Sequence, residues 1–196
     1  VLLMRGRFRP VTNVHIDMIE NGKNQFLKEQ NVDKDNVRVI IELTLKDLTA
    51  DGKISDKDFM DRVDLLSTLG YTVMITNYLK YYKMVDYLAG ISKGKQMGVI
   101  LGVYNLANIF EETYYTNLSG GILEAFGRGF GHTVKLYVYP AINVEDGELY
   151  DLSNFKTSSN LQGLFDFMVD NNKLEAYEKF NQKHLYILSD DVLSKI

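Results

Sequence analysis

The residues best suited to chemistry stand close together near the start of the chain: Gly6-Arg7-Phe8-Arg9-Pro10, then Thr12, then His15. An apolar run, Val1 to Met4, leads into them, and an amphipathic stretch follows. This layout predicts a strand, a tight turn, and a helix whose first turn carries an imidazole. Backbone N–H groups at a helix start lack intrahelical acceptors and sit at the positive end of the helix dipole, so they suit phosphate oxygens. His15, one turn in, reaches the same anion, and Thr12 adds a hydroxyl. A histidine early in a helix is by itself equally a cap or a half-buried polar contact. Its spacing from Gly6, Phe8 and Pro10 is what favours the anion.

That spacing resembles the G-x-F-x-P-x-H/T-x-x-H signature of the H-x-G-H nucleotidylyltransferases, a family that includes the nicotinate/nicotinamide mononucleotide and phosphopantetheine adenylyltransferases. Gly6, Phe8, Pro10, Thr12 and His15 all fall on it. Three further segments extend the resemblance. Gly102-Val103-Tyr104-Asn105-Leu106-Ala107-Asn108 is similar to the G-A-D-N-L-A-N-F region of the mononucleotide adenylyltransferases, with Tyr104 in place of the usual Asp. Lys46 stands at about the distance after the second strand where those enzymes carry a phosphate-contacting Lys or Arg. A solvated surface lysine is the alternative. Ile187 to Val192 resembles I-S-S-T-x-I/V-R, where Ser189 and Asp190 open a helix onto the nucleotide and Leu193 replaces the Arg.

The resemblance implies adenylyl transfer: AMP passes from ATP, carried with Mg²⁺, to a mononucleotide phosphate, and pyrophosphate leaves, as in NAD biosynthesis. The N-L-A-N segment favours a pyridine mononucleotide as acceptor. The catalytic set implied is His15, Thr12 and Lys46. The nucleotide-binding set is Gly6, Arg7, Phe8, Arg9, Gly102, Tyr104, Asn105, Ser189 and Asp190. Such a site works by positioning the partners and offsetting charge on phosphate oxygens. Several positions depart from the family. Arg7 and Arg9 replace a hydroxyl and an acidic or amide residue, and add positive charge. Val14 replaces the Gly of H-x-G-H, and a β-branched side chain there is expected to crowd the base. With Tyr104 and Leu193, these departures leave a nucleotide-binding or regulatory domain without turnover as the alternative.

These residues need a scaffold, and the rest of the chain predicts one. Val37 to Leu45, Tyr71 to Asn77, Met97 to Val103 and Val134 to Tyr139 read as strands, rich in β-branched and aromatic residues. Between them, Val14 to Gln30, Ser55 to Leu69, Leu79 to Leu88, Asn105 to Tyr115 and Ile122 to Phe126 read as helices. Ala141 to Ser159 reads as a loop or insertion, Asn160 to Asn171 and Leu174 to Phe180 as helices, and Leu185 to Leu188 as a last strand. Alternation with short connections predicts an α/β fold, a doubly wound and mostly parallel five-stranded sheet flanked by helices, Rossmann-like. Ligands in such sheets lie beyond the carboxyl ends of the strands. Gly6 to His15, Lys46, Asn77 and Gly102 to Asn105 all follow strands there, independently of any family.

Composition sets outer bounds. The chain has 196 residues, 45% apolar and 24% charged, which suits one globular domain. A net charge of −4 argues against a general nucleic-acid partner. No apolar run approaches the roughly 20 residues of a membrane span, and no disulfide is possible without cysteine. We therefore expect a cytoplasmic protein with small-molecule partners, neither nucleic acid nor membrane, its oligomeric state left open. Residue 1 is not Met yet reads as core strand, and the chain stops in the opening turns of a helix. That predicts a domain cut from a longer polypeptide. Asp47 to Asp58 also fits a twelve-residue calcium loop, with Gly52 at position 6. The preceding strand and the short Asp at position 12 favour a glycine turn into the Ser55 helix cap instead, so no metal site is expected. The tyrosines Tyr78, Tyr81, Tyr82 and Tyr87 read as core or partner contacts, Ser119-Gly120-Gly121 as a turn, and His132 and His184 carry no assigned role.

Overall fold

The computed structural model describes residues 1–45, 56–131 and 133–195. The chain runs β1 (Leu2–Arg5), α1 (Asn13–Phe26), β2 (Val39–Thr44), α2 (Asp56–Thr68), β3 (Thr72–Thr76), α3 (Tyr81–Ser92), β4 (Met97–Gly102), α4 (Val103–Ile109), α5 (Gly121–Gly129) and β5 (Val134–Tyr139). A hairpin of β6 (Ala141–Ile142) and β7 (Leu149–Tyr150) follows, then α6 (Gln162–Asp170), β8 (Leu174–Ala176) and α7 (Ser189–Leu193). The main sheet has six strands in the order β3-β2-β1-β4-β5-β8. Every pairing in it is parallel. The expected α/β class holds, with one strand more than predicted.

Parallel strands are covered on both faces, so they read as apolar runs, and alternate residues serve opposite layers. Leu3, Val99, Leu101, Leu136 and Val138 point to one core, which α3, α4, α5 and α6 cover through Val85, Leu106, Phe126 and Phe165. Leu2, Met4, Ile100, Tyr137 and Tyr139 point to the other, closed by Met18, Ile19 and Phe26 of α1 and Leu66 of α2. Burying these side chains is the main drive that holds helices to sheet. α1 lies very close to the sheet. A Cβ at Gly22 would come within 2.3 Å of the Tyr177 hydroxyl and 2.7 Å of Ile100 Cδ1.

Three expected elements differ. Leu174 to Phe180, expected as helix, begins as β8, because Leu174, Glu175 and Ala176 pair with Leu136, Tyr137 and Val138 along the open edge of β5. Edge pairing outweighs a weak helical pattern. Leu185 to Leu188 is not a strand. Gln182–Tyr186 forms a 3-10 turn that drops Leu185 into the α1 face. The 141–159 segment carries the β6–β7 hairpin, with Ala141 opposite Tyr150. No helix among the described residues is long and apolar enough to cross a membrane.

Candidate functional site

The chain winds outward from β1 to β3 on one side and from β4 to β8 on the other, so the topological switch lies between β1 and β4. Ligand clefts in open α/β sheets form at this point, where the helices after adjacent strands diverge to opposite faces. A cleft of about 750 Å³ opens there. Met4, Arg5, Gly6 and Arg7 come from β1 and its loop, His15 and Met18 from α1, Thr44 from β2, and Leu101 and Gly102 from β4. Leu79, Lys80 and Tyr81 form one wall, and Asn105, Asn108, Ile109, Tyr114 and Tyr115 another. Its lining carries Arg5, Arg7 and Lys80 and, among the described residues, no carboxylate. A cationic cleft without acids suits a polyanion.

The loop after β1 is shaped by Phe8. This side chain is 1% exposed and its backbone is left-handed, with φ 49°. Non-glycine residues rarely adopt that conformation, and the surroundings must over-determine it. Here the ring is held between Gly6 and His15. A Cβ at Gly6 would stand 3.0 Å from two Phe8 ring carbons, and the Phe8 and His15 ring centroids are 4.9 Å apart. A side chain at position 6 would have to push the packed Phe8 ring aside by a few tenths of an ångström.

Phe8 in turn seats the imidazole. Thr12 precedes α1 as its N-cap, and His15 is the third helical residue. The Thr12 backbone N–H donates to His15 Nδ1 at 3.0 Å, and Thr12 Oγ1 lies 2.9 Å from the same nitrogen. A backbone N–H can only donate, so Nδ1 is the acceptor and the ring proton sits on Nε2. Burial lowers the His15 pKa from 6.5 to about 4. The ring is thus neutral at pH 7, and its Nε2–H is the donor available to an anion in the cleft it lines.

Of the other predicted site residues, Gly6, Arg7, Gly102 and Asn105 line the cleft with His15. A Cβ at Gly102 would meet only Asn105 Nδ2, 4.0 Å away, so the space beside it belongs to the cleft. Phe8 and Thr12 are buried behind His15 and act through it. Arg9 does not line the cleft. Its Nε lies 3.5 Å from Asp58, which also pairs with the buried Arg62, and Arg62 donates to the Arg7 carbonyl at 3.3 Å. Tyr104 is also displaced from it: its ring packs on Tyr150 and its hydroxyl donates to the Ile142 carbonyl at 3.4 Å. The hairpin after β5 draws it aside. Val14 packs against the core under α1 and is absent from the cleft lining, so the expected crowding of a base is not seen there. Ser189 and Asp190 begin α7, and Ser189 does not line the cleft. Lys46 and most of the Asp47 to Asp58 loop lie outside the described residues, as does His132.

Sequence reasoning missed a second set. Arg5, the last residue of β1, and Glu42 of β2 are register partners. Arg5 Nε and Nη2 donate to the two Glu42 carboxylate oxygens at 2.6 and 3.2 Å, and Nη2 donates to the Tyr78 carbonyl at 2.6 Å. Glu42 is fully buried and also accepts from the Thr44 and Thr76 hydroxyls. The guanidinium sits 5.0 Å from the Tyr81 ring centroid. Across the cleft, Lys80 Nζ lies 3.4 Å from the centroid of Tyr114. Opposite charges placed late in two otherwise apolar strands were the available signal.

Compared with known proteins, the chain matches no family model and no curated protein at a significant level. No group of three or more His, Cys, Asp or Glu among the described residues is arranged to hold a metal ion. Mg²⁺ usually takes one or two carboxylates along with phosphate oxygens, and the described residues of the cleft lining include none.

Proposed function

We propose that this chain is a nucleotidylyltransferase of the H-x-G-H type, moving AMP from ATP to the phosphate of a pyridine mononucleotide with release of pyrophosphate. The observation that carries this reading is the His15 tautomer. A neutral imidazole with Nδ1 tied to a helix cap and Nε2–H at a cleft lined by Arg5, Arg7 and Lys80 is a preorganised phosphate donor. In the reaction the acceptor phosphate attacks the α-phosphorus, and the bond to the pyrophosphate oxygen breaks. The protein needs no covalent intermediate. His15 donates to a phosphate oxygen throughout, and Arg7 offsets the charge of the departing pyrophosphate. Gly102 leaves room beside β4, and Asn105 offers an amide to the nucleotide. Mg²⁺ bound with ATP would offset charge on the phosphate oxygens, and no step is assigned to it.

Removing one donor from a preorganised site costs about 10²–10³ in rate. His15→Ala is therefore expected to lower kcat by that factor while weakening ATP binding far less. Pyrophosphate release with nicotinate and nicotinamide mononucleotides, alongside calorimetry with ATP, checks both. The displacement of Tyr104 onto Tyr150, at a position where the family carries Asp, favours a second reading: a nucleotide-binding domain without turnover. That reading predicts ATP binding with no pyrophosphate released from any acceptor. Absence of ATP binding would remove both.

A further inference from the structure

Arg5 is built as a ligand-binding residue and not only as a strut. A guanidinium has five N–H donors in a planar fork. In Arg5, Nε and Nη2 are committed to Glu42 and the Tyr78 carbonyl. Nη1 carries two more N–H groups with no partner among the described residues. Nη1 is not among the fully buried side-chain nitrogens that lack a hydrogen bond. The side chain is 8% exposed, and what is exposed lines the cleft. A long flexible side chain normally loses rotamer freedom when it captures a ligand. Here that freedom is already gone. Glu42, held in turn by Thr44 and Thr76 from the ends of β2 and β3, locks the fork in place before any ligand arrives.

Position decides what the fork would bind. Arg5 is held on the β2 and β3 side of the cleft by Glu42 and Tyr78, and its Cζ lies over the Tyr81 ring, 5.0 Å from the centroid. The bound group therefore has an oxyanion beside an aromatic wall. We propose that Arg5 Nη1 holds the phosphate monoester of the acceptor mononucleotide, with Glu42 as its positioning residue. The identity of the ligand rests on the transfer reading above, whereas the preorganised fork does not. The fork itself is spent on Glu42 and the Tyr78 carbonyl, which leaves Nη1 as a fixed, charged donor of two N–H groups, whereas lysine would bring a point charge on a flexible stem.

Calorimetry with nicotinate mononucleotide, nicotinate riboside and ATP tests this on the wild type, Arg5→Lys and Glu42→Gln. A charge-assisted contact is worth about 10- to 100-fold in affinity. The wild type is expected to prefer the mononucleotide to the riboside, and Arg5→Lys to abolish that preference by a loss of about 10- to 100-fold. ATP affinity should change by less than about threefold, as no fork contact to it is lost. Glu42→Gln should raise KM for the mononucleotide more than it lowers kcat, the mark of positioning. Should Arg5→Lys fail to fold, the double variant Arg5→Met, Glu42→Leu removes the pair without stranding a buried charge and serves instead. Unchanged mononucleotide affinity in a folded variant overturns the proposal, as does an equal loss of ATP affinity. If the wild type releases no pyrophosphate yet binds the mononucleotide through Arg5, transfer fails and this inference stands. If the wild type binds no mononucleotide, both fail.

Discussion

The state of a single imidazole can be measured apart from any activity. His15 has a folded pKa of about 4 against 6.5 for a free histidine, through burial. Between those values the unfolded chain binds more protons than the folded one, so stability rises with pH there. The contribution is complete above pH 6.5 and is lost as pH falls toward 4, with a ceiling of about 3 kcal/mol. Melting curves should therefore fall more steeply over pH 6.5 to 4 in the wild type than in His15→Gln. Nitrogen NMR should show an Nε2–H tautomer that does not titrate near pH 6.5. Protonation near 6.5 would contradict the buried, capped ring. Gly6 offers a second check at this scale. Gly6→Ala pushes a methyl against the Phe8 ring and so tilts the ring that seats His15. Overpacking of this kind costs about 1–3 kcal/mol, and the NMR signature of His15 should shift with it.

Among the elements, α1 carries most of the consequences. It seats His15 at its start and packs on β4 along its length, and Gly22 is the point of closest approach. Gly22→Ala would bring a methyl into Tyr177 and Ile100, at a cost of about 1–3 kcal/mol, despite alanine's better helix propensity. Tyr177→Phe in the same chain removes the nearest atom, the hydroxyl that donates to the Met18 carbonyl at 2.6 Å. Partial recovery of Tm in the double variant is expected. No recovery would mean that Ile100 alone sets the limit.

For the whole molecule, contacts distant in sequence tie α1 to the far edge of the sheet. Asp17 accepts from the Tyr139 hydroxyl at 2.6 Å, the Asn181 backbone N–H at 2.9 Å and Asn21 at 3.0 Å. Gln25 donates to the Ala176 carbonyl and accepts from Glu178 N–H, both within 3.1 Å. One helix thus gathers the segment after β8, which pairs with the sheet through only three residues. Asp17→Ala leaves those donors unmet, at a cost of about 2–4 kcal/mol. Hydrogen exchange should show protection lost first at the Asn181 amide and around Gln182–Tyr186, with the β1–β4 pairing spared. Unchanged protection at Asn181 would show that apolar packing of Tyr177 and Leu185 suffices.

How much of this was legible beforehand follows from what each signal depends on. Fully buried strands and amphipathic helices are local patterns, because the period of apolar residues reports directly which face is covered. So the alternation from β1 to β5 and the placing of Gly6 to His15 beyond a strand's carboxyl end could be read from the chain. The short edge strand β8 could not, since three residues carry little periodicity and their pairing depends on β5 having an open edge. The family resemblance puts Arg9 and Tyr104 in the site, and the fold turns them toward Asp58 and Tyr150. Arg5 and Glu42 stand 37 positions apart and become one buried pair only through the register of β1 on β2. Local pattern determined which elements form and where the loop of the site begins. Which side chains then face the cleft was decided by register and packing, because the direction of a long side chain is set by neighbours the sequence does not place beside it.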